Sequence, residues 1–336
     1  LASKDIDGSS LKGYTFRNLI GEDEKFLNAV EIARKTAMSS STVLIYGETG
    51  TGKELFAQSI HNESSRKHKP LIAQNCAALP ESLLEGILFG TVKGSFTGAI
   101  NRPGLFEQAN GGTLMLDEIN SMGHQLQAKL LRVLQEGNIR RIGGLSDIPV
   151  DVRILATTNE DPLVLLQKGI LRKDLYYRLN VISVSIPPLR ERKTDIMLLT
   201  DHFIKKYNNI LQKDIWYVSN EVKEAFLNYN WPGNVRELEN IIESAINMVN
   251  RGHVIKPEHI SQEMCEVMFK AGKNNHYLNL NEDQPLDRIV AEVEKGLILE
   301  ALQKCENNIS RSAEMLGLKR QTLQHKLKKY DINIKE

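Results

Sequence analysis

The sequence has few cysteines and no long apolar run. Its three cysteines, Cys76, Cys265 and Cys305, are widely spaced and none belongs to a CxxC motif. This pattern argues against a disulfide framework or a zinc site and is typical of a reducing compartment. No apolar run approaches the ~18 residues of a membrane-spanning helix, and residues 1–10 lack the apolar core of a secretory signal. We therefore expect a soluble, cytoplasmic protein with no membrane partner.

Metal-ligand spacing and compositional bias are also lacking. The eight histidines show no HExxH or comparable spacing. Hydrophobic residues make up 41% and charged residues 25% of the chain, which is ordinary globular composition and argues against disorder. At about 150 residues per domain, the 336 residues predict two or three folded units.

Charge is balanced over the whole chain but not along it. The formal net charge is +1, yet residues 304–336 hold eight basic and four acidic side chains. A basic segment on a near-neutral body indicates a separate module with an anionic partner. On charge alone, nucleic-acid binding and a merely solvated helical face are equally open.

Hydrophobic patterning divides the chain into an α/β part and helical parts. Up to residue 186, short continuous apolar runs alternate with helical stretches, which is typical of strands buried on both faces of a parallel sheet. The predicted strands cover residues 42–46, 71–75, 113–116, 152–158 and 181–186. Beyond Pro187-Pro188 the β-type runs stop, and amphipathic helices are predicted at residues 195–209, 220–228 and 234–249.

A glycine-rich loop lies between the first predicted strand and a helical pattern. It consists of Gly47, Glu48, Thr49, Gly50, Thr51, Gly52, Lys53 and Glu54. The glycines let backbone N–H groups turn toward phosphate oxygens, the helix N-terminus adds its positive dipole end, and Lys53 reaches the outer phosphates. Glu54 replaces the Ser or Thr that usually offers Mg²⁺ a hydroxyl, so other ligands or water must hold the metal. The loop predicts nucleotide binding.

Polar side chains follow two further strands at the sheet edge where ligands bind. Asp117 is predicted to hold Mg²⁺, directly or through water, and Glu118 to polarise the water that attacks the γ-phosphate. Without the glycine-rich loop, this pair would more simply cap the next helix. Asn159, at the end of the following strand, either contacts the γ-phosphate or water, or is a turn residue.

The order of these motifs resembles an AAA+ ATPase, and a second motif narrows the family. Residues 93–99, KGSFTGA, resemble the GAFTGA loop of sigma-54-dependent transcriptional activators, with Ser95 in place of the usual alanine. The resemblance extends through LFEQANGGTLMLDEI, LRKDLYYRLNV, IPPLRER and NWPGNVRELEN, over nearly all of residues 16–250. The stretches GTVKGSFTGA and GGLSDIPVDVRI resemble the RocR-like, arginine-utilisation branch of the family.

The resemblance implies roles that the residues alone do not show. Arg172 and Arg178 are similar to arginine fingers that reach a neighbouring subunit's γ-phosphate, although chemistry alone would make them surface charges. Arg236 matches the lid arginine that contacts nucleotide in its own subunit. Asn75 matches the residue that restrains the catalytic glutamate until the nucleotide state changes. A finger acting in trans needs a neighbour, so the resemblance implies a ring, which in this family is a hexamer.

The resemblance also implies a loop that contacts the sigma factor of sigma-54 RNA polymerase. It consists of Gly94, Ser95, Phe96, Thr97, Gly98 and Ala99. The flanking glycines free the loop tip, where Phe96 has no evident core to fill. A local hydrophobic cluster around Phe96 is the alternative.

The C-terminal segment predicts a helix, a tight turn and a second helix. Its apolar positions, with helical spacing that Gly317 interrupts, are Ala313, Leu316, Leu318, Leu323 and Leu327. The second helix is predicted to expose side chains suited to phosphate contact and major-groove readout, namely Lys319, Arg320, Thr322, Gln324 and Lys326. It resembles the Fis-type helix-turn-helix, whose modules usually act as dimers on palindromic double-stranded DNA. A plain helical hairpin is the alternative.

The predicted fold is α/β, an AAA+ P-loop parallel sheet with a helical lid, followed by an all-α helix-turn-helix domain. The segments are an N-terminal linker remnant (1–15), a nucleotide-binding subdomain (16–186), the lid (187–262), a polar linker (263–285) and a DNA-binding domain (286–336). The expected function is ATP- and Mg²⁺-dependent remodelling of the promoter-bound polymerase closed complex, from an upstream DNA site, into an open complex. An AAA+ unfoldase with an acidic protein target and a DNA-binding repressor are the competing classes. With only about 15 residues before the core, either a sensory domain is missing or another protein supplies control.

Overall fold

The computed structural model describes residues 13–95, 100–274, 286–305, 308–330 and 332. The chain divides into two compact units, Leu1–Ile260 and Ser261–Glu336. Most of the predicted linker remnant, residues 96–99 of the predicted sigma-factor loop, and residues 275–285 of the predicted linker lie outside the described residues.

A five-stranded parallel sheet forms the centre of the first unit. Its strands are β1 Val43–Tyr46, β2 Leu71–Asn75, β3 Thr113–Asp117, β4 Arg153–Thr158 and β5 Ile182–Ser185, in the spatial order β2-β3-β4-β1-β5. Each predicted run ends within about one residue of the observed strand, because strands buried on both faces need continuous apolar sequence. All six residues of β4 are buried. The predicted α/β class is confirmed.

Helices cover both faces of the sheet. They are α1 Glu24–Ala37, α2 Lys53–Asn62, α3 Glu81–Phe89, α4 Leu105–Gln108, α5 His124–Glu136, α6 Pro162–Gln167 and α7 Lys173–Leu179. Alternate strand residues face opposite cores: Leu114 packs in the cluster that includes α3, α5 and α7, and Met115 packs in the cluster of α1 and α2. The edge-to-face rings of Phe26 and Phe56, with centroids 5.8 Å apart, join α1 to α2.

The helical part of the first unit follows Pro187-Pro188. Its helices are α8 Lys193–Leu211, α9 Asn220–Asn228 and α10 Asn234–Met248, as the amphipathic patterns predict, and α8 packs against α10. A parallel pair of two-residue strands, Tyr217–Val218 and Val254–Ile255, lies in this part, where no β structure was predicted. Two residues are too few to produce a periodic signal in sequence.

Within its described residues, the second unit contains four helices. They are α11 Gln262–Asn274, α12 Leu286–Lys304, α13 Ile309–Met315 and α14 Arg320–Lys329. Gly317, with φ 65°, forms the turn between α13 and α14, and Leu323 and Leu327 pack with Ile298 and Leu302 of α12. The predicted helix-turn-helix is confirmed.

Helix α11 occupies residues for which a polar linker was predicted. Its sequence, QEMCEVMFKAGKN, contains two Glu, two Met and two Lys, which favour helix, and its Gly and Asn come only near the end. The rest of the Asn-rich stretch that motivated the linker prediction, from residue 275, lies outside the described residues. Among the described residues, no helix is long and apolar enough to cross a membrane.

Candidate functional site

The glycine-rich loop runs from the end of β1 to the first residue of α2. Gly47, Gly50 and Gly52 have φ values of 156°, 81° and 100°, which side-chain-bearing residues rarely adopt. The Nζ atom of Lys53 donates to the carbonyl oxygens of Gly47, at 2.7 Å, and Glu48, at 3.0 Å. Burial lowers the pKa of Lys53, and the charges of the two carboxylates at the end of β3 oppose that shift.

The start of α10 lies directly on this loop. The carbonyl oxygen of Gly50 accepts from the backbone N–H of Val235 at 3.1 Å, and Arg236 follows immediately. A Cβ atom on Gly50 would lie 2.1 Å from the carbonyl oxygen of Gly233, so only glycine allows this approach. The helical subdomain therefore reaches the loop through backbone contacts.

A cavity of about 260 Å³ opens between the loop, the sheet edge and α10. Its lining includes nine of the predicted site residues, which are Thr49, Gly50, Gly52, Lys53, Glu54, Asn75, Asp117, Glu118 and Arg236. The carboxylates come from the end of β3, Asn75 from the end of β2, and Arg236 from α10. Residues distant in sequence thus meet at the carboxyl edge of the sheet, where open α/β sheets bind ligands.

A side chain of the neighbouring strand bonds the carboxylate of Asp117 and the backbone of Glu118. Thr157, fully buried on β4, donates through Oγ1 to Asp117 Oδ1 at 2.5 Å and accepts from the backbone N–H of Glu118 at 3.0 Å. Glu118 has φ 55° and ψ 53°, a left-handed conformation that is costly for a non-glycine residue and often found at functional sites. The sequence analysis missed Thr157, one of two threonines that follow the apolar run Ile154, Leu155 and Ala156.

Asn75 contacts a different carboxylate from the one that the family resemblance implies. Its Nδ2 donates to Asp117 Oδ2 at 3.1 Å, and its Oδ1 accepts from the N–H groups of Ala77 and Ala78. Asn75 and Asp117 are directly paired in the register of β2 and β3. This pairing places the amide beside Asp117, and the restraint of Glu118 that the resemblance implies stays a prediction.

Six predicted residues are not among those that line the cavity, namely Gly47, Glu48 and Thr51 of the loop and Asn159, Arg172 and Arg178. Asn159 Oδ1 accepts from Asn120 Nδ2 at 3.0 Å. Arg172, the residue before α7, pairs with Asp174 at 2.7 Å, and Arg178 donates to the carbonyl oxygen of Leu134 near the end of α5 at 2.6 Å. Both arginines lie at least partly at the surface.

Only the first residues of the predicted sigma-factor loop are described. The Oγ of Ser95 donates to the carbonyl oxygen of Val92 at 2.9 Å. A second loop lies against it, because a Cβ atom on Gly143 would be 2.6 Å from the Cβ of Ser95. That second loop carries Leu145, which is 91% exposed and which no sequence motif singled out.

The second helix of the helix-turn-helix presents four of its five predicted contact residues. Lys319, Arg320, Thr322 and Gln324 are exposed. Lys326, which was predicted to be exposed, is only partly exposed, and its ammonium is paired with Glu294 of α12, which also accepts from the Tyr330 hydroxyl. The Glu294 carboxylate raises the pKa of Lys326. A partner 32 residues away in sequence could not be read from the helical pattern.

Three known domain families match consecutive parts of the chain. Residues 19–185 match the sigma-54 interaction domain, residues 190–276 the AAA+ ATPase lid domain, and residues 289–330 the Fis family of bacterial regulatory proteins. Together they span the α/β part, the helical subdomain and the helix-turn-helix.

Known proteins resemble the chain over most of its length. The transcriptional activator RocR of Bacillus subtilis is 51% identical over 94% of this chain and 69% of that protein, in line with the predicted branch. The regulatory protein AtoC of Escherichia coli is 47% identical over 89% of this chain and 64% of that protein. The structure of Brucella abortus NtrX in complex with ATP is similar with a TM-score of 0.66 and 29% identity, covering 94% of this chain and 69% of that one. The chain therefore belongs to the family of sigma-54-dependent transcriptional activators, as an AAA+ ATPase with a Fis-type helix-turn-helix.

Proposed function

We propose that this chain hydrolyses ATP at a composite site between ring neighbours and uses the cycle to open promoter DNA held by sigma-54 RNA polymerase. The observation that carries the proposal is the single cavity that joins Lys53, Asp117, Glu118 and Arg236. It combines cations for phosphate with carboxylates for a metal and a water molecule. Because the proposed activity acts on promoter DNA, it is proposed to be cytoplasmic.

The cavity offers oxygen ligands suited to Mg²⁺. Asp117 has its two oxygens fixed by Thr157 and Asn75, so its carboxylate is held in one orientation. Glu54 also lines the cavity, with its Oε1 accepting from Gln58 at 3.1 Å. Mg²⁺ usually takes one or two carboxylates together with phosphate oxygens and water. When bound, the ion neutralises phosphate charge, while Lys53 and Arg236 position the phosphates and Glu118 accepts the proton of the attacking water.

Replacing Glu118 by Gln removes the proposed base while preserving the size of the side chain. We expect Glu118→Gln to bind ATP and to hydrolyse it on the order of 10²-fold more slowly or worse, because water activation is lost. Steady-state ATPase rates and nucleotide titrations measure the two effects. Glu136→Gln, on the exposed end of α5, is the matched control and should keep the wild-type rate. A normal rate in Glu118→Gln would remove Glu118 from the catalytic role.

Arg172 and Arg178 are proposed to act on the nucleotide of the adjacent subunit in a hexameric ring. Neither lines the cavity of its own chain, and both are at least partly exposed. Their present partners, Asp174 and the Leu134 carbonyl oxygen, are surface contacts that solvent screens and that can be exchanged for a phosphate.

Subunit mixing tests whether the arginines act in trans. We expect Arg172→Ala and Arg178→Ala to lower the hydrolysis rate by ~10³ to 10⁵ while ATP affinity stays nearly constant, because a finger neutralises transition-state charge. Glu118→Gln and Arg172→Ala subunits, inactive separately, should regain activity when combined. Mixed rings that form stably, as shown by mass, and yet hydrolyse no ATP would contradict the assignment.

The exposed face of α14 is proposed to enter the major groove of a palindromic site. Lys319 occupies the position before the first residue of α14 and Arg320 follows it, so both can reach phosphates, while Thr322 and Gln324 can reach base edges. Lys326 is left out of this surface because its ammonium is already paired with Glu294 of α12.

Salt dependence of DNA binding separates phosphate contacts from general charge. We expect Arg320→Ala to weaken binding and to reduce the slope of log affinity against log salt by about one per lost contact. Lys295→Ala, which removes the same charge from an exposed position of α12, should leave the slope unchanged. Equal effects of the two variants would assign the binding to net charge instead of to the α14 face.

The loop that contains Phe96 is proposed to contact the sigma factor in one nucleotide state. Such a differential contact is the only way in which ATP binding can bias a partner. The described base of the loop is anchored through Val92 and Ser95 and abuts the second loop at Gly143.

Phe96→Ala tests the proposed contact directly. ATP binding and hydrolysis should persist, since no phosphate or metal ligand is changed, but the variant should not trap sigma-54 in the presence of an ADP–metal fluoride mimic of the transition state. It should also fail to open promoter DNA. Trp216→Ala, which removes an aromatic ring that is 62% exposed on the helical subdomain, should behave as wild type. Normal activation by Phe96→Ala would reduce the proposal to a DNA-binding AAA+ ATPase with another target.

A further inference from the structure

Glu48 belongs to the glycine-rich loop but is not among the residues that line the nucleotide cavity. Its carboxylate instead accepts two hydrogen bonds from the guanidinium of Arg190, at 2.8 and 2.5 Å. It also accepts from the side-chain amide of Asn234 at 3.2 Å. An acidic side chain inside a phosphate loop would repel an anionic ligand unless its charge were balanced. Arg190 supplies that balance and holds the pKa of Glu48 below its ordinary value.

The two partners of Glu48 come from different elements of the helical part. Arg190 lies in the 3-10 turn Leu189–Glu191, immediately after Pro187-Pro188, where the sheet domain gives way to the helices. Asn234 is the first residue of α10. One carboxylate of the loop is therefore bonded to both the entry turn of the helical subdomain and the helix that carries Arg236.

Asn234 joins the loop to the helical part through both ends of its side-chain amide. It is fully buried and has φ 52°, a left-handed conformation that Asn tolerates better than most residues. Its Oδ1 accepts from the backbone N–H of Leu189 at 2.7 Å, and its Nδ2 donates to the carbonyl oxygen of Thr49 at 3.0 Å as well as to Glu48. The amide thus uses both of its ends to join the turn, the loop and α10.

We propose that Glu48, Arg190 and Asn234 form a clamp that holds the start of α10 on the glycine-rich loop and so delivers Arg236 to the nucleotide. Arg236 lies two residues after Asn234 and lines the cavity, whereas none of the three clamp residues does. Glu48 and Arg190 are thus positioning residues, which act on the nucleotide through Arg236. The inference rests on the proposed role of Arg236 in nucleotide binding.

The expected size of the effect follows from the exposure of the pair. The Arg190 and Glu48 side chains are 38% and 39% exposed, so solvent screens part of their attraction. The two hydrogen bonds from Arg190 and the buried Asn234 strengthen the interaction and partly offset this screening. Breaking the pair should therefore weaken nucleotide binding by about 3- to 10-fold and should not unfold the protein.

A double-mutant cycle on nucleotide affinity tests the clamp. ATP and ADP affinities are measured by calorimetric titration of the full chain in the Glu118→Gln background, so that hydrolysis does not enter. The variants are Glu48→Gln, Arg236→Ala and the two combined. Each single change should weaken ATP binding, and the double variant should bind no more weakly than Arg236→Ala alone, because Glu48 acts only through Arg236. Glu136→Gln, which breaks an exposed ion pair with Arg132, is the control and should not change affinity.

A conservative series at Arg190 distinguishes positioning from simple packing. Arg190→Lys keeps the charge but loses the two-point contact, and Arg190→Met loses both while keeping an unbranched chain. Affinity should fall in the order Arg, Lys, Met while the melting temperatures stay close together. Equal affinities across the series would overturn the clamp.

The remaining outcomes separate the clamp from the proposed function. If the losses of Glu48→Gln and Arg236→Ala multiply in the double variant, the clamp is wrong and the nucleotide role of Arg236 stands. If Arg236→Ala binds ATP normally, its proposed role fails and the clamp fails with it. Absence of ATP binding by the parent Glu118→Gln chain would overturn the proposed function as a whole.

Discussion

The approach of the Gly50 backbone to Gly233 is the constraint on which the nucleotide site depends. A single Cβ atom on Gly50 would lie 2.1 Å from the Gly233 carbonyl oxygen. Because that atom is absent, the N–H of Val235 can donate to the Gly50 carbonyl oxygen, and the first turn of α10 rests on the loop. Lys53 and Arg236 therefore line one cavity although 182 residues lie between them in sequence. Without this contact, the sheet and its loop would supply Lys53 to the cavity but α10 would not supply Arg236.

The other half of the site is set by strand register. Parallel neighbours end at the same edge, so Asn75, Asp117 and Thr157 meet through the ladders of β2, β3 and β4. Their hydrogen bonds hold the Asp117 carboxylate before any ligand arrives, which reduces the reorganisation that binding requires. Glu118 follows in a left-handed conformation; its backbone N–H donates to Thr157, and its carbonyl oxygen accepts from the N–H of Ser121 at 2.9 Å. This arrangement is compatible with the roles proposed for Asp117 as a metal ligand and for Glu118 as the base.

In the helix-turn-helix, a tertiary contact separates basic side chains that remain available to a partner from one that joins two helices of the module. Lys319 and Arg320 remain available for an anionic partner, while Lys326 is used within the module to join α14 to Glu294 of α12. Helical periodicity separates core positions from surface positions, but it gives no information on which surface cation meets an acid from another helix. The basic excess of residues 304–336 therefore overstates the charge that is free to meet DNA.

The sequence by itself determined the five strands, the helix-turn-helix and the chemical type of the main site residues. Buried parallel strands require continuous apolar runs, and phosphate loops require glycine and lysine at fixed spacing, so both are local properties of the chain. Only the tertiary structure decided that Asn75 bonds Asp117 and not Glu118, that Thr157 fixes both acidic residues, and that Glu48 pairs with Arg190. These contacts depend on strand order and on how the helical subdomain returns to the loop. The local spacing of residues does not specify strand order or the position of the helical subdomain, because both follow from packing between segments far apart in sequence.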